Sequence, residues 1–131
     1  MKTLIVEDDF ASRTLLQELV KGFGTSHIAV NGKEAVEAVN IALDKNEPYD
    51  LICLDIMMPV MDGQVALKEI RALEEARGII SSRGSKIVMT TALKDMKNLG
   101  EAFHSLCDDY LDKPIRKAQF LEKLRGLGLI E

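Results

Sequence analysis

The chain has 131 residues, which fits a single domain that buries about two thirds of the surface exposed by its unfolded form. Its formal net charge is −4 with both signs interspersed, which excludes the basic stripe that direct nucleic-acid binding requires. No apolar run approaches the roughly 20 residues of a membrane span, and two distant cysteines without a signal pattern favour a reduced, cytoplasmic location.

Short apolar runs alternate with amphipathic stretches along the chain. The apolar runs, several of them too continuous to face water, are predicted strands at residues 4–6, 27–30, 51–54, 87–89 and 110–111. Between and after them, apolar residues recur with a spacing near 3.6 and predict five helices, carried by Leu16, Leu19, Val20 and Phe23; by Ala35, Val36, Val39 and Leu43; by Ala66, Leu67, Ile70 and Leu73; by Met96, Leu99, Phe103 and Leu106; and by Phe120, Leu121 and Leu124. This alternation predicts an α/β fold with a mostly parallel sheet, covered by helices on both faces.

Two segments have recognisable boundary or loop chemistry. Asp62 is the predicted N-cap of the third helix, because its carboxylate can accept a backbone N–H from Gln64 or Val65. Residues 76–86 form the longest predicted loop, which contains glycine and serine and is locally basic. We interpret this loop as a solvated surface segment, with a partner contact as the alternative.

Four of the predicted strands end in side chains that carry chemistry: Glu7-Asp8-Asp9, Asp55, Thr90-Thr91 and Lys113. Ligands of open parallel sheets bind outside the carboxyl ends of the strands, so these groups should meet at one edge. The second strand contributes no ionisable group, which fits an outermost position. Crowded carboxylates repel one another unless a cation compensates, and oxygen-only ligands favour Mg²⁺. Because Mg²⁺ usually binds one or two carboxylates together with a phosphate oxygen, the cluster implies a phosphorylated substrate.

Each of these groups has a role in phosphoryl chemistry and a plainer alternative. Asp55 can accept the phosphoryl group covalently, Lys113 can neutralise its charge, and Thr91 can donate a hydrogen bond to it. Taken singly, Asp55 could cap a turn, and Lys113 could be a surface residue. The acids after the first strand could be favoured by a helix dipole, which is the simpler interpretation for Glu7. Their joint placement at the strand ends favours the site.

Four segments carry these groups in order: LIVEDDF at the first strand, LICLDIMMPVMDG at the third, IVMTTAL at the fourth and DDYLDKPI at the fifth. Together they resemble the receiver domains of two-component response regulators, from Lys2 to about Leu127. The resemblance implies a flavodoxin-like, doubly wound sheet of five parallel strands in the order 2-1-3-4-5. It also implies a single receiver domain over residues 1–131, with no output domain.

The resemblance further implies a phosphoacceptor and a metal site. Asp55 would accept a phosphoryl group from the phosphohistidine of a sensor histidine kinase or a phosphotransfer protein. Mg²⁺ would be bound by Asp9 directly, by Asp8 largely through water, by Asp55, and by the backbone carbonyl of Met57. The protein would catalyse its own phosphorylation and dephosphorylation without turning over a further substrate.

A conformational switch is also implied by the resemblance. Thr91 and Lys113 would bind the phosphoryl oxygens, and the Lys113–Pro114 bond would be cis. Thr91 and Tyr110 would then move inward and remodel the face formed by helix 4, strand 5 and helix 5. A downstream protein would bind that face.

Two apolar positions bear on the lifetime of the phosphate. Met57 and Leu93 lie two residues after Asp55 and Thr91, where family members that lose phosphate quickly often have polar side chains. Since neither side chain can orient an attacking water, we expect a long-lived aspartyl phosphate.

Three other classes of protein use parts of this pattern. A haloacid-dehalogenase-type phosphatase would need a second aspartate where Met57 stands. A flavodoxin-type mononucleotide binder would need a glycine-, serine- or threonine-rich loop after its first strand, where this chain has three acids. A receiver fold that is never phosphorylated would have no need to retain Asp9, Asp55, Thr91 and Lys113 together.

Overall fold

The computed structural model describes residues 1–92 and 106–131, and strands and helices alternate in these ranges. The strands are β1 Thr3–Val6, β2 Ser26–Ala29, β3 Leu51–Asp55, β4 Lys86–Thr91 and β5 Asp109–Asp112. The α-helices are α1 Phe10–Val20, α2 Gly32–Asp44, α3 Gly63–Ala76 and the C-terminal helix Lys117–Gly126, and the 3-10 turns are Lys21–Phe23 and Ser81–Arg83. The fourth predicted helix, with Met96, Leu99 and Phe103, lies outside the described residues.

The five strands are parallel and lie in the order β2-β1-β3-β4-β5, which confirms the predicted doubly wound sheet. The edge position of β2 is also as predicted. The strand order reverses between β1 and β3, because the chain first adds β2 on one side of β1 and then β3 on the other. A crevice at the carboxyl ends of β1 and β3 is therefore expected to be the ligand site.

Apolar side chains form one packed layer on each face of the sheet. The first face packs against α2 and α3, and its core includes Leu4, Val6, Ile52, Leu54, Ile87, Met89, Val39, Leu67 and Ile70. The second face packs against α1 and the C-terminal helix, and its core includes Ile5, Leu51, Cys53, Val88, Leu111, Leu16, Val20, Phe120 and Leu124. Strand residues alternate between the faces because successive side chains point to opposite sides. Among the described residues, no helix is long and apolar enough to cross a membrane.

The helices α1, α2 and α3 each begin after a side chain that satisfies an N–H of the first turn. These N-caps are Asp9, Asn31 and Asp62, and in each case the side-chain oxygen accepts the N–H of the residue three positions on, at 2.9 to 3.0 Å. The first four N–H groups of a helix have no partner within the helix, so such caps stabilise its start. The bond from Val65 to Asp62 confirms the predicted cap of α3.

A buried ion network closes the other edge of the sheet, where β4 and β5 begin. Arg71 is only 7% exposed and donates hydrogen bonds to Glu74 at 2.7 Å, to Asp108 at 3.0 Å, and to the backbone carbonyls of Ser85 and Leu106. The second oxygen of Glu74 accepts the Ser85 N–H at 2.8 Å. Burial of these charges is tolerated because each has a partner. Ser85, which we expected in a solvated loop, is therefore packed into the fold, whereas Gly78, Ile80, Ser82 and Arg83 of that loop are exposed, as expected.

Candidate functional site

A row of polar side chains crosses the carboxyl ends of β1, β3 and β4. Val6 of β1 pairs with Leu54 of β3, and Glu7 and Asp55 are the residues that follow them. Asp55 also pairs directly with Thr90 of β4. Glu7, Asp55 and Thr90 each follow a second-face core residue by two positions, so all three point to the second face. Their exposed fractions are 0%, 3% and 0%, respectively. The predicted gathering of strand-end groups at this edge is thus present.

Asp55 is a buried carboxylate with one oxygen paired and one unpaired. Its Oδ2 lies 3.3 Å from the Nζ of Lys113, whereas its Oδ1 is buried without a hydrogen-bond partner among the described residues. Burial and, after it, the negative charge of Glu7 raise the pKa of Asp55 to about 7, although Lys113 opposes this change. The metal-free site therefore keeps Asp55 partly protonated near neutral pH.

Lys113 is the cation that joins the two buried acids. Its Nζ lies 2.8 Å from Oε2 of Glu7, closer than it lies to Asp55. Burial alone would lower the pKa of Lys113, but the hydrogen bond to Glu7 and the charge of Asp55 outweigh burial, so the pKa is raised. The Lys113 N–H donates to the carbonyl of Thr91 at 2.8 Å, and the Lys113–Pro114 bond is cis, as predicted.

The acids of the site fit a divalent cation. One carboxylate oxygen from each of Glu7, Asp8 and Asp55 lies within 4.8 Å of the other two. These oxygens are the hard ligands that Mg²⁺ prefers, and three carboxylates so close together repel one another without a cation. Lys113 supplies one positive charge against these three carboxylates. The unpaired Oδ1 of Asp55 is a further sign that the site accepts a cation or a phosphoryl group.

Asp9 caps the start of α1, where its Oδ2 accepts the Ser12 N–H at 2.9 Å. Its role as a direct metal ligand stays a prediction. Hydrogen bonds from the backbone and side chain of Ser12 lower the pKa of Asp9. The carboxylates brought together with Asp55 are those of Glu7 and Asp8, one position earlier in the chain. Asp9 therefore caps the helix, whereas Glu7 and Asp8 lie beside Asp55 at the strand end.

Glu7 is the site residue that was missed from the sequence. Its Oε1 accepts the Asp9 N–H at 3.1 Å and its Oε2 pairs with Lys113, so both oxygens are engaged inside the fold. A signal was available, because Glu7 and Asp55 are each the first ionisable residue after a buried apolar run. Equivalent positions at neighbouring parallel strand ends lie in the same row, which predicts that the two carboxylates meet.

Thr91 and Tyr110 lie on the first face, opposite the row that contains Asp55. Thr91 is 1% exposed and ends β4, and it follows a first-face core residue by two positions. Tyr110 is partly buried against the same first-face core. Because Thr91 pairs with Asp112, two residues after Tyr110, the two proposed switch residues lie diagonally across neighbouring strands. Their predicted movement is untested.

The loop after β3 presents apolar side chains around the site. Met57 is 63% exposed and Val60 is 79% exposed, and Phe10 at the start of α1 is 72% exposed. Val60 has a φ of 68°, which is uncommon for a β-branched residue, and the Met61 N–H donates to the carbonyl of Pro59 across it at 2.7 Å. Such a γ-turn is strained, and it makes Val60 protrude from the loop.

Gly63→Ala is expected to lower the free energy of unfolding by about 2 to 3 kcal/mol. Gly63 begins α3 against the end of β3, and a Cβ there would overlap the carbonyl oxygen of Asp55 and lie 2.8 Å from the Cα of Ile56. Both obstacles are backbone, so the loop or α3 would have to move. Urea denaturation would measure the change. Gly126→Ala is the control, because, apart from its chain neighbours and its own helix, no atom of the described residues lies within 4 Å of its Cβ position, and it should be neutral or stabilising. Equal stability of the two variants would contradict the close contact.

Comparison with known proteins identifies the family. The profile of the response regulator receiver domain matches residues 3–125. The sensor protein GacS of Pseudomonas syringae pv. syringae is 37% identical over 131 residues, which cover 98% of this chain and 14% of GacS. The chain spans only 3% to 14% of the length of the first curated relatives, so it corresponds to one part of those proteins.

Solved structures show the same fold. The receiver domain of a sensor histidine kinase from Pseudomonas aeruginosa PAO1, which has magnesium in its active-site cleft, has a TM-score of 0.76 and 27% identity over 97% of both chains. The receiver domain of the Saccharomyces cerevisiae response regulator Ssk1, crystallised with the histidine phosphotransfer protein Ypd1, has a TM-score of 0.79 and 30% identity, covering 98% of this chain and 88% of the other. On this evidence, the chain belongs to the response regulator receiver domain family.

Proposed function

We propose that this domain is the phosphoacceptor of a two-component phosphorelay and that Asp55 takes the phosphoryl group. The state of Asp55 carries the proposal, because the residue is 3% exposed, has one oxygen without a partner among the described residues, and has the other oxygen 3.3 Å from the ammonium of Lys113. Carboxylates are known covalent nucleophiles for phosphoryl groups. Transfer to them requires mainly positioning and neutralisation of charge, which Lys113 can provide.

Glu7, Asp8 and Asp55 would bind the Mg²⁺ ion of such a site, with the carbonyl of Met57 as a further ligand implied by the family. When bound, the ion supplies the positive charge that allows acids and a phosphoryl group to share one pocket. Magnesium in the cleft of the P. aeruginosa receiver domain supports this assignment. The ion pair between Glu7 and Lys113 would hold the ammonium beside the phosphoacceptor.

The transfer itself would be an exchange of two bonds to phosphorus. A P–O bond forms to a carboxylate oxygen of Asp55, and the P–N bond of the donor phosphohistidine breaks, with the imidazole leaving as a neutral group after protonation. Thr91 and Lys113 would hydrogen-bond the phosphoryl oxygens and so favour an inward position of Thr91 and Tyr110. Beyond this transfer and the later hydrolysis of the aspartyl phosphate, we propose no catalytic turnover.

The phosphodonor would be a sensor histidine kinase or a histidine phosphotransfer protein. The complex of Ypd1 with the receiver domain of Ssk1 supports this class of partner. The exposed Phe10, Met57 and Val60 would be covered by a donor that approaches Asp55, because large exposed apolar residues beside a site favour protein contact. The downstream target would bind the face formed by the fourth predicted helix, β5 and the C-terminal helix. Kinases of this kind act on cytoplasmic receivers, and we propose that location.

Phosphorylation by a small donor tests the proposal. Incubation with Mg²⁺ and acetyl phosphate should add about 80 Da to the intact protein, located on Asp55 by peptide mapping. Chelation of the metal with EDTA should prevent the addition, because the crowded carboxylates then exclude a phosphoryl group. Steady release of phosphate without a stable adduct would instead indicate a phosphatase. An unchanged mass with a folded protein would indicate a receiver fold that is not phosphorylated.

Because the side chain of Met57 is apolar, we expect the aspartyl phosphate on Asp55 to be lost slowly. Replacement by asparagine should place a polar group over the site and speed the hydrolysis of the aspartyl phosphate about tenfold, by helping to orient the attacking water. Stopped-flow decay after removal of acetyl phosphate would measure both rates. Val60→Asn is the control, because it adds the same polar group to the same loop but five residues after Asp55 instead of two. Loss of phosphate from the wild type within seconds would contradict the expectation.

A further inference from the structure

Thr90 carries a buried hydroxyl next to the proposed phosphoacceptor. The residue is 0% exposed, and its Oγ1 has no hydrogen-bond partner in the part of the chain that the structure describes. It pairs directly with Asp55 on the neighbouring strand, and both side chains point to the second face. The Oδ1 of Asp55 is also buried and unpartnered there. A donor and an acceptor in adjacent positions are thus both unsatisfied.

An unsatisfied hydroxyl at this position calls for an explanation. Burial of a polar group without a hydrogen bond is unfavourable, and few such groups occur in folded proteins. Valine has nearly the same shape as threonine and forms strands at least as well, so packing in β4 does not require the oxygen. Valine could therefore replace Thr90 in the resting fold, and the hydroxyl is not needed there.

Thr3 shows that an unpartnered hydroxyl alone does not indicate a site. Thr3 is 1% exposed, its Oγ1 also lacks a partner among the described residues, and it points to the same face of the sheet. It lies at the amino end of β1, however, where its neighbours are Ser26 and Leu51. What distinguishes Thr90 is the unsatisfied carboxylate of Asp55 beside it.

We propose that Thr90 is a positioning residue for Asp55, and this inference rests on the proposed function. In the loaded site, its hydroxyl donates a hydrogen bond to the carboxyl oxygen of Asp55 that does not carry the phosphoryl group. Neighbouring strands lie about 4.8 Å apart, so a change of side-chain rotamer closes the gap without movement of the sheet. The bond fixes the carboxyl plane and directs the other oxygen at phosphorus. Thr91, one residue closer to the carboxyl edge of the sheet, remains available for the phosphoryl oxygens.

Three substitutions test this role through the rate of labelling by acetyl phosphate with Mg²⁺, followed by intact mass. Thr90→Val should lower the maximal rate about tenfold, with little change in the half-saturating acetyl phosphate concentration. Thr90→Ser keeps the hydroxyl and should restore most of the rate. Thr3→Val is the matched control and should label like the wild type. Each valine variant loses an unpartnered buried hydroxyl, so both should melt about 3 °C higher than the wild type.

The outcomes separate this inference from the function on which it rests. If the wild type labels and Thr90→Val labels equally fast, the role of Thr90 is wrong and the proposed function stands. The role is also wrong if Thr90→Ser is as slow as Thr90→Val, or if Thr3→Val is slowed to the same extent. Should Thr90→Val fail to fold, Thr90→Ala, which also lacks the hydroxyl, should show the slow rate. A folded wild type that takes up no phosphoryl group overturns both the function and the inference.

Discussion

Asp55→Asn is expected to lower phosphoryl incorporation from acetyl phosphate by at least about a hundredfold, to the background of the assay. The amide has nearly the shape of the carboxylate, but it has no anionic oxygen that can attack phosphorus. The ion pair of Lys113 with Glu7 at 2.8 Å does not involve Asp55, so the cation should keep its place. The loss is therefore chemical rather than structural. Intact mass after incubation with Mg²⁺ and acetyl phosphate measures it.

Asp62→Asn is the matched control for this result. Asp62 lies in the loop that follows the same strand, and its carboxylate caps α3 by accepting the Val65 N–H at 3.0 Å. Asparagine caps helices about as well as aspartate, so this variant should fold and label like the wild type. Undiminished labelling of Asp55→Asn would show that another residue accepts the phosphoryl group. Equal loss in both variants would show that the assay reports folding rather than the acceptor.

The sheet and its central acid could be predicted because both depend on local patterns. The continuous apolar run before Asp55 indicates a strand buried on both faces, and such strands occur in parallel sheets. Parallel strands with helical crossovers place all their carboxyl ends at one edge, so Asp55, Thr91 and Lys113 were expected there without any distance being known. The structure confirms the sheet order and places Lys113 3.3 Å from Asp55.

The choice among three consecutive acids could not be predicted in the same way. Which of Glu7, Asp8 and Asp9 faces Asp55 depends on the register between β1 and β3 and on the residue at which α1 begins. Both are decided by packing between segments that are about 50 residues apart in the chain. The apolar pattern specifies the strand, but its end is uncertain by one or two residues. A shift of one residue is enough to decide which acid lies beside Asp55 and which caps the helix.

The burial of Arg71 also could not be predicted from the sequence pattern. The apolar stripe of α3 is specified by Leu67 and Ile70, and a charged residue directly after them is ordinarily read as solvent-exposed. Its burial depends on Asp108, which is 37 positions later, and on carbonyl groups of two other segments. Partners that are distant in the chain have no local signature. Charges of this kind can be assigned only when the fold is known.

A pH-dependent loss of stability is expected in the metal-free protein, and Asp55 is its source. The pKa of Asp55 is raised from 3.8 to about 7 in the folded state. Between about pH 4 and about pH 7, the folded state keeps this proton and the unfolded state has released it, so stability falls as the pH rises. The contribution is complete below the unfolded pKa and is lost as the pH passes the folded pKa. From about pH 5 to about pH 8 the loss should be about 3 kcal/mol.

Comparison with Asp55→Asn isolates this contribution, because asparagine does not titrate. Urea denaturation in EDTA should give the variant an advantage that grows by about 3 kcal/mol from about pH 5 to about pH 8. Mg²⁺ should reduce this advantage at the higher pH, since it binds the folded wild type and stabilises it by about 2.7 kcal/mol at a hundred times its dissociation constant. The variant lacks one of the three clustered carboxylates and should gain less. Stability curves that stay parallel across this pH range would show that Asp55 is already ionised without metal, and that Lys113 outweighs burial and Glu7 in setting its pKa.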